Sequence, residues 1–236
     1  MTDFKEICGA YYDIKERYSP FQKMKKLDPK KIFNGECEFL FGAHTYSQIP
    51  QDSRPEIAFI GASNVGKSSL INAIVNKKIA IVSTTPGRTR QLNFFKIADG
   101  FTQSFSEGFV LVDMPGYGFA KASAKHTEHW QKTALEYLMK RPNLKRLYLL
   151  IDPTKGLKEG DRDMTNMLNA MAVSFQVILT KTDKLNKEEL AKSQEKITAE
   201  IAKWPAAHPE IIATSSSKGY GIKEIQDSIV EVLQHL

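Results

Sequence analysis

The stretch EIAFIGASNVGKSS (56–69) constrains the fold of this chain more than any other. It begins with an apolar run that is typical of a buried strand, and residues 69–76 (SLINAIVN) have the pattern of a helix. Between the two, GASNVGKS matches G-x-x-x-x-G-K-[ST]. Gly61 and Gly66 let the backbone curl so that successive N–H groups face a phosphate, and the helix N-terminus adds a positive potential. A phosphate-binding loop in an α/β sheet is therefore predicted.

Side chains around this loop suit a nucleotide triphosphate with magnesium. We expect Lys67 to reach the β- and γ-phosphates and the Ser68 hydroxyl to ligate Mg²⁺. Asp113 ends the apolar run FVLVD, so its carboxylate is placed to hold Mg²⁺ through water. Pro115 and Gly116 follow, and the Gly116 amide should point at the γ-phosphate. The sequence thus predicts a magnesium site that includes Ser68 and Asp113.

The segment TKTD (180–183) leaves the end of another apolar strand and predicts the base. The Asp183 carboxylate can accept from the N1–H and the exocyclic amine of guanine, while the Lys181 stem lies along the ring. Adenine lacks that donor pair, and sites that depend on satisfying polar groups discriminate by roughly 10⁴-fold. Ser215 and Ser216, one strand–helix unit later, can support the base. GTP is the predicted ligand.

Strand-like and helical segments alternate from residue 56 to the C-terminus, which is typical of a mostly parallel sheet covered by helices on both faces. Residues 92–98 and 109–114 lie close enough in sequence to form an antiparallel pair. We predict a three-layer α/β/α sandwich with a six-stranded sheet in which one strand is antiparallel. The domain should span residues 37–236, after a partly helical or flexible extension, 1–36.

Composition adds weaker constraints. A chain of 236 residues suits one α/β domain, and a net charge of +6 is compatible with a polyanionic partner or with a solvated basic surface. Cys8 and Cys37 have neither metal-ligand nor disulfide-framework spacing. No apolar run approaches the roughly 18 residues of a membrane helix, and the N-terminus lacks a signal-peptide pattern. We expect a cytoplasmic monomer without a stable membrane anchor.

The motifs GASNVGKSSLIN, TTPGRTRQLNFF (84–95), DMPGYGFAK (113–121), TKTD and SSSKGYGI occur in an order and spacing that resemble the EngB family of bacterial GTPases, also called YihA or YsxC. The similarity covers residue 37 to the C-terminus, and its most distinctive part is the tyrosine-bearing turn with Lys121 and Trp130 behind it. Ala62 stands where arginine is common in the family, and Arg90 where glutamine is frequent. The resemblance implies a GTPase needed for assembly of the large ribosomal subunit, for cell division and for septation.

The resemblance also implies site residues. Thr89 matches the switch threonine, which joins the Mg²⁺ shell while the γ-phosphate is present, so the predicted metal ligands are Ser68, Thr89 and Asp113. Catalysis is assigned to Lys67, Thr89, Gly116 and Asn64. The predicted GTP- and GDP-binding residues are Gly61, Ala62, Ser63, Asn64, Val65, Gly66, Lys67, Ser68, Ser69, Gly87, Arg88, Thr89, Arg90, Gln91, Asp113, Met114, Pro115, Gly116, Thr180, Lys181, Thr182, Asp183, Thr214, Ser215 and Ser216. Thr84 and Thr85 are interpreted as polar loop residues.

Tyr117 stands where related hydrolases carry a glutamine that orients the attacking water. Its phenol has no amide, and a pKa of about 10 in model peptides makes it a poor base at neutral pH. Slow intrinsic hydrolysis, accelerated by a partner, is therefore expected. Asn64 either coordinates K⁺ between the phosphates, as in related GTPases, or stabilises the loop. His126 and His129 are interpreted as exposed helix residues.

Three functions remain open on the sequence. The first is a switch that binds ribosomal RNA or protein, with Arg88, Arg90, Lys121 and Lys125 as potential phosphate contacts. The second is a metabolic phosphotransferase, although no arginine-rich lid is seen. The third is a membrane or septum scaffold, for which no amphipathic membrane helix or lipidation motif is found.

Overall fold

The computed structural model describes residues 28–80, 91–97, 108–117 and 124–235, with side chains of the segment 124–131 excluded. The strands are β1 (Cys37–Ala43), β2 (Glu56–Gly61), β3 (Leu92–Ile97), β4 (Phe109–Asp113), β5 (Leu144–Ile151), β6 (Phe175–Leu179) and β7 (Ile212–Ala213). The helices are α1 (Pro29–Asn34), α2 (Lys67–Ile74), α3 (Ala124–Lys140), α4 (Glu159–Ala170), α5 (Lys187–Ile201) and α6 (Ile222–Gln234).

The seven strands form one sheet in the order β1-β3-β4-β2-β5-β6-β7. β3 pairs antiparallel with both β1 and β4, and the remaining pairs are parallel, so β3 alone runs against the others. The predicted fold class and the antiparallel β3–β4 pair are confirmed. The predicted number of six strands is wrong, because β1, which the sequence analysis did not recognise as a strand, adds an edge to the sheet.

Alternation along the strands explains the three layers, since successive side chains of a strand point to opposite faces. In β2, Ala58 and Ile60 pack with α3, α4 and α5 on one face, whereas Ile57 and Phe59 pack with α1, α2 and α6 on the other. All six residues of β2 are buried. The carboxyl end of this central strand, where the phosphate-binding loop begins, is therefore rigidly placed.

Helix α1 lies in the segment that the sequence analysis assigned to an extension. Asp28 caps it by accepting from the Lys30 amide at 3.0 Å, and Pro29 occupies its first turn, where a proline needs no N–H partner. Ile32 and Phe33 are buried in the core, with the Phe33 ring edge-on to Phe109. The last part of the proposed extension thus packs on the sheet, and residues 1–27 lie outside the described residues.

Candidate nucleotide-binding site

The loop 61–66 joins β2 to α2 at the carboxyl edge of the sheet, as predicted. Gly66 has a φ of 110°, and Asn64 a φ of 61°, so both adopt the left-handed conformation that most side chains avoid. Gly61 has no room for a side chain, because a Cβ atom there would lie 2.8 Å from Val65 Cγ1 and 2.9 Å from the Leu150 carbonyl oxygen. Local sterics therefore impose the curled backbone that a phosphate requires.

Lys67 and Asp113 contact each other at this edge. The Lys67 ammonium donates to Asp113 Oδ1, and both residues are buried, at 8% and 2% exposure. Ser68 and Ser69 follow in the first turn of α2 and are half-buried. The structure thus places the lysine predicted to bind the phosphates in contact with the carboxylate predicted to hold magnesium, and the two serines follow that lysine directly in the chain.

The turn after β4 continues the pairing of β2 and β4 past the strand ends. The Met114 amide donates to the Phe59 carbonyl at 3.0 Å, and the Tyr117 amide donates to the Gly61 carbonyl at 3.2 Å. The Ser63 amide in turn donates to the Tyr117 carbonyl at 3.1 Å. Met114 and Pro115 are buried, and Gly116 lies half-buried beside the phosphate-binding loop.

The side chain of Tyr117 is buried and is held by a carboxylate on α4. Its hydroxyl donates to Asp161 Oδ1 at 2.7 Å, and the residue is 6% exposed. Burial, followed by the Asp161 charge and hydrogen bond, raises the pKa of Tyr117 well above its ordinary value. The phenol remains protonated at neutral pH and serves as an anchor, not as a base.

The predicted base site forms where β6 and β7 end. The Thr180 hydroxyl donates to the Val65 carbonyl at 2.7 Å, and the Thr182 amide donates to the Thr214 carbonyl at 3.1 Å. Lys181, with a φ of 55°, extends its ammonium to the Asn64 carbonyl at 2.6 Å. The Thr180 and Lys181 bonds join the TKTD segment to the phosphate-binding loop, and the Thr182 bond joins it to the segment after β7.

Asp183 is exposed, whereas its partner Ser215 is fully buried. The Ser215 hydroxyl donates to Asp183 Oδ1 at 2.5 Å, and this hydrogen bond lowers the pKa of Asp183 below its ordinary value. Thr214 is buried and Ser216 half-buried on the same segment. The carboxylate is ionised, oriented and open to a ligand, as guanine recognition requires.

Part of the predicted site is placed elsewhere or is not described. The Gln91 amide donates to Asn93 Oδ1 at 2.9 Å and lies over Gly42, so its side chain is directed to β1 and β3. Gly87, Arg88, Thr89 and Arg90 lie outside the described residues, as do Thr84, Thr85, Lys121 and the side chains of Lys125, His126, His129 and Trp130.

Comparisons with known proteins agree with this geometry. A family model described as "50S ribosome-binding GTPase" matches residues 56–181, which contain the phosphate-binding loop, Asp113 and the start of TKTD. The Probable GTP-binding protein EngB of Gluconobacter oxydans is 44% identical over 217 residues, which are 92% of this chain and 92% of that relative. The protein of that name in Mesorhizobium japonicum is 46% identical over 202 residues, or 84% of this chain and 95% of the relative.

The chain belongs to the EngB family of GTP-binding proteins. It is a GTPase, and it binds GTP and GDP. The resemblance inferred from the motifs is thereby confirmed. No helix in the described part of this EngB chain is both long and apolar enough to cross a membrane.

Solved structures support the fold. The crystal structure of a probable GTP-binding protein engB aligns with a TM-score of 0.57 and 24% identity, covering 77% of this chain and 100% of that one. Era in complex with MgGDPNP and a segment of 16S ribosomal RNA aligns with a TM-score of 0.60 and 25% identity, covering 77% of this chain and 57% of that one.

Sequence reasoning missed two residues that contact the site of this EngB protein. Asp152, directly after β5, accepts from the Lys181 ammonium at 3.1 Å, and Asp161 holds Tyr117. The position of Asp152 at a strand end was a usable signal, since Asp113 was identified by the same feature. Asp161 gave none, because an aspartate in the first turn of a helix is usually explained by capping.

Proposed function

We propose that this protein is a GTP-dependent switch that acts in assembly of the large ribosomal subunit. One observation carries the proposal: two pairs of polar side chains lie at the same edge of the sheet. Lys67 contacts Asp113 at the phosphate end, and Ser215 contacts Asp183 at the base end. The matched description as a 50S ribosome-binding GTPase supports the large-subunit partner. The fold shared with Era, which was crystallised with a segment of 16S ribosomal RNA, supports contact with ribosomal RNA in general and does not bear on the choice of subunit.

The residues have distinct roles in this proposal. The amides of residues 63–68 and the Lys67 ammonium bind the phosphates, and the Gly116 amide contacts the γ-phosphate. Asp183 selects guanine, while Lys181 supports the ring. Thr180, Thr182, Thr214 and Ser216 maintain the backbone of the base site. In this proposal GTP sets the conformation of the surface around residues 80–95 and 114–126, and this surface meets the ribosomal precursor.

Magnesium fits the donor set. Among the described residues no group of three or more His, Cys, Asp or Glu side chains could form an all-protein metal site. Mg²⁺ in phosphate sites is usually held by one or two protein oxygens together with the substrate. Ser68, Asp113 and, by the family motif, Thr89 would hold it, and the ion would neutralise charge that develops on the phosphates.

Hydrolysis is proposed to be slow without a partner, because the Tyr117 side chain has neither an amide that could orient water nor a group that could act as a base. Its hydroxyl is already engaged by Asp161 and its pKa is raised by burial. The Asn64 side chain is exposed at the rim of the loop, where it is available either to coordinate K⁺ or to stabilise the left-handed backbone. A slow, partner-dependent hydrolase acts as a switch.

Co-sedimentation with ribosomal particles tests the proposal. We expect the wild-type protein to pellet with large-subunit precursors in the presence of a non-hydrolysable GTP analogue, and much less with GDP. Asp183→Asn is the matched control, since it should pellet with the xanthosine analogue only. Equal pelleting with every nucleotide would contradict a switch, and phosphate transfer from GTP to an added small molecule would favour a metabolic phosphotransferase.

The same proposal includes a part in cell division and septation, which the family resemblance implies. If assembly is the primary role, depletion of the protein should cause large-subunit precursors to accumulate before septation fails. Sucrose-gradient profiles and cell-length measurements on the same culture follow the two events. Septation failure with normal ribosome profiles would contradict this order.

A further inference from the structure

The segment 152–161 runs from the end of β5 into the first turn of α4 and faces the phosphate-binding loop across a cavity. Together with residues 62–65 it lines a small cavity of about 40 Å³. Two of the residues that line the cavity are aspartates: Asp152, which is half-buried, and Asp161, which is 4% exposed. Each accepts a hydrogen bond from a residue that belongs to a different end of the nucleotide site.

Asp152 acts on the base end. Its Oδ2 accepts from the Lys181 ammonium at 3.1 Å, and its Oδ1 accepts from the Thr154 hydroxyl at 2.6 Å. The same ammonium donates to the Asn64 carbonyl at 2.6 Å. Lys181 is thereby fixed between the segment after β5 and the phosphate-binding loop, in the position from which its stem would line the guanine ring.

Asp161 acts on the phosphate end. Its Oδ1 accepts from the Tyr117 hydroxyl at 2.7 Å, and its Oδ2 accepts from the Lys158 amide at 2.9 Å, so the carboxylate is fixed by its own helix. The Tyr117 ring lies over the first turn of α4, where a Cβ atom on Gly160 would be 3.8 Å from the ring. Helix α4 therefore holds the tyrosine by both its ring and its hydroxyl.

Anchoring the ring also positions the backbone before it. Tyr117 pairs through its amide and carbonyl with Gly61 and Ser63, and these bonds fix the adjacent residue Gly116. A Cβ atom on Gly116 would lie 3.1 Å from the Gly61 carbonyl oxygen and 3.3 Å from the Ser63 nitrogen, so the turn sits directly against the phosphate-binding loop. The turn that carries the Gly116 amide is thus held by these backbone bonds and, through the Tyr117 side chain, by Asp161.

We propose that the segment 152–161 positions the two ends of the nucleotide site separately, Asp152 through Lys181 at the base and Asp161 through Tyr117 at the γ-phosphate. The inference rests on the proposed function, in which Gly116 contacts the γ-phosphate. The base is common to GDP and GTP, whereas only GTP carries the γ-phosphate. Loss of Asp152 should therefore weaken the binding of both nucleotides, and loss of the Tyr117–Asp161 contact should weaken the binding of GTP alone.

The test compares Kd values for GDP and a non-hydrolysable GTP analogue in the full chain with Mg²⁺. Tyr117→Phe keeps the ring and removes the hydroxyl, so we expect roughly a tenfold loss for the analogue, the scale of one hydrogen bond to a charged group, with GDP unchanged within about twofold. Asp152→Ala is the matched control from the same segment, and it should raise the Kd values of both nucleotides by a similar factor.

Two further variants separate positioning from folding. Asp161→Asn keeps an acceptor oxygen for the Lys158 amide but removes the charge that faces Tyr117, so it should reproduce the GTP-specific loss if Tyr117→Phe fails to fold. In the double variant Tyr117→Phe/Asp161→Asn, the loss should not exceed that of the larger single variant.

Equal losses for GDP and the analogue in Tyr117→Phe, or tighter binding of the analogue, would overturn the inference. Failure of the proposed function is distinguishable, because it would appear in the wild-type protein as absent or base-independent nucleotide binding.

Discussion

At the base end of the site an exposed Asp183 is oriented by a buried Ser215, whereas at the phosphate end Lys67 and Asp113 are both buried and contact each other. The recognising carboxylate of the base end is open to a ligand. At the phosphate end, Lys67 and Asp113 pair with each other. A nucleotide that binds there must therefore replace this pairing with its own contacts. We infer that the base end serves recognition alone, while the phosphate end also contributes to the stability of the nucleotide-free fold.

The largest expected effect is at the base end. Asp183→Asn should lower GTP affinity by roughly 10⁴-fold, because the guanine edge offers two donors and the amide supplies only one acceptor. Xanthosine nucleotides should bind the variant instead, since they offer a donor beside an acceptor. Competition between GTP and XTP measures the exchange. Unchanged GTP affinity would remove the argument for the base site, and the urea midpoint should stay that of the wild type because Asp183 is exposed.

The contrasting variant is Lys67→Met at the phosphate end. It should lower the free energy of unfolding of the nucleotide-free protein by about 3–5 kcal/mol, because Asp113 is left buried without its partner. Urea denaturation measures this loss. Lys67→Met/Asp113→Asn removes both charges and should recover most of it. If Lys67→Met is as stable as Asp183→Asn, the proposed difference between the two ends is wrong.

Tyr117→Ala tests whether the aromatic residue is an anchor or a catalyst. We expect the single-turnover rate at saturating GTP to remain within about tenfold of the wild type, because the phenol is protonated and held by Asp161. Rapid-quench measurement of phosphate release gives the rate. A hundredfold loss would show the ring to be catalytic, and the phosphate end would then differ from the base end in chemistry as well as in stability.

The smallest expected effect concerns Asn64. If its side chain coordinates K⁺, replacing K⁺ by Na⁺ should slow hydrolysis several-fold in the wild type and leave Asn64→Ala unaffected. Asn64→Gly is the better matched variant, because a φ of 61° strains alanine but not glycine. Sensitivity to the cation that persists in both variants would assign Asn64 to stabilising the loop.

The fold class followed from periodicity, but one edge of the sheet did not. Residues 56–61 and 92–97 were predicted almost to the residue, because a buried strand next to a conformationally demanding loop leaves few alternatives. β1 was missed because Glu38 and Gly42 obscure the alternation in CEFLFGA, and its pairing with β3 depends on residues 49 to 60 positions away. Helix α3 begins at Ala124, in a polar stretch with no helical apolar period.

Within the site, the motifs identified the groups that are predicted to contact the nucleotide, but they missed the two aspartates that hold Lys181 and Tyr117. Lys67, Asp113 and Asp183 are recognisable because nucleotide chemistry demands their types at the ends of strands. Asp152 and Asp161 act through Lys181 and Tyr117, across sequence separations of 29 and 44 residues, and no local pattern encodes such contacts. Positioning residues therefore require the structure.

The central claim is that one edge of the sheet binds the triphosphate with Lys67 and the loop amides and selects guanine with Asp183. Titration calorimetry in the presence of magnesium tests it most directly. The account predicts measurable heat with GDP and GTP and none with ADP or ATP at the same concentrations. Equal heats for the guanosine and adenosine nucleotides, or no heat with either, would contradict it.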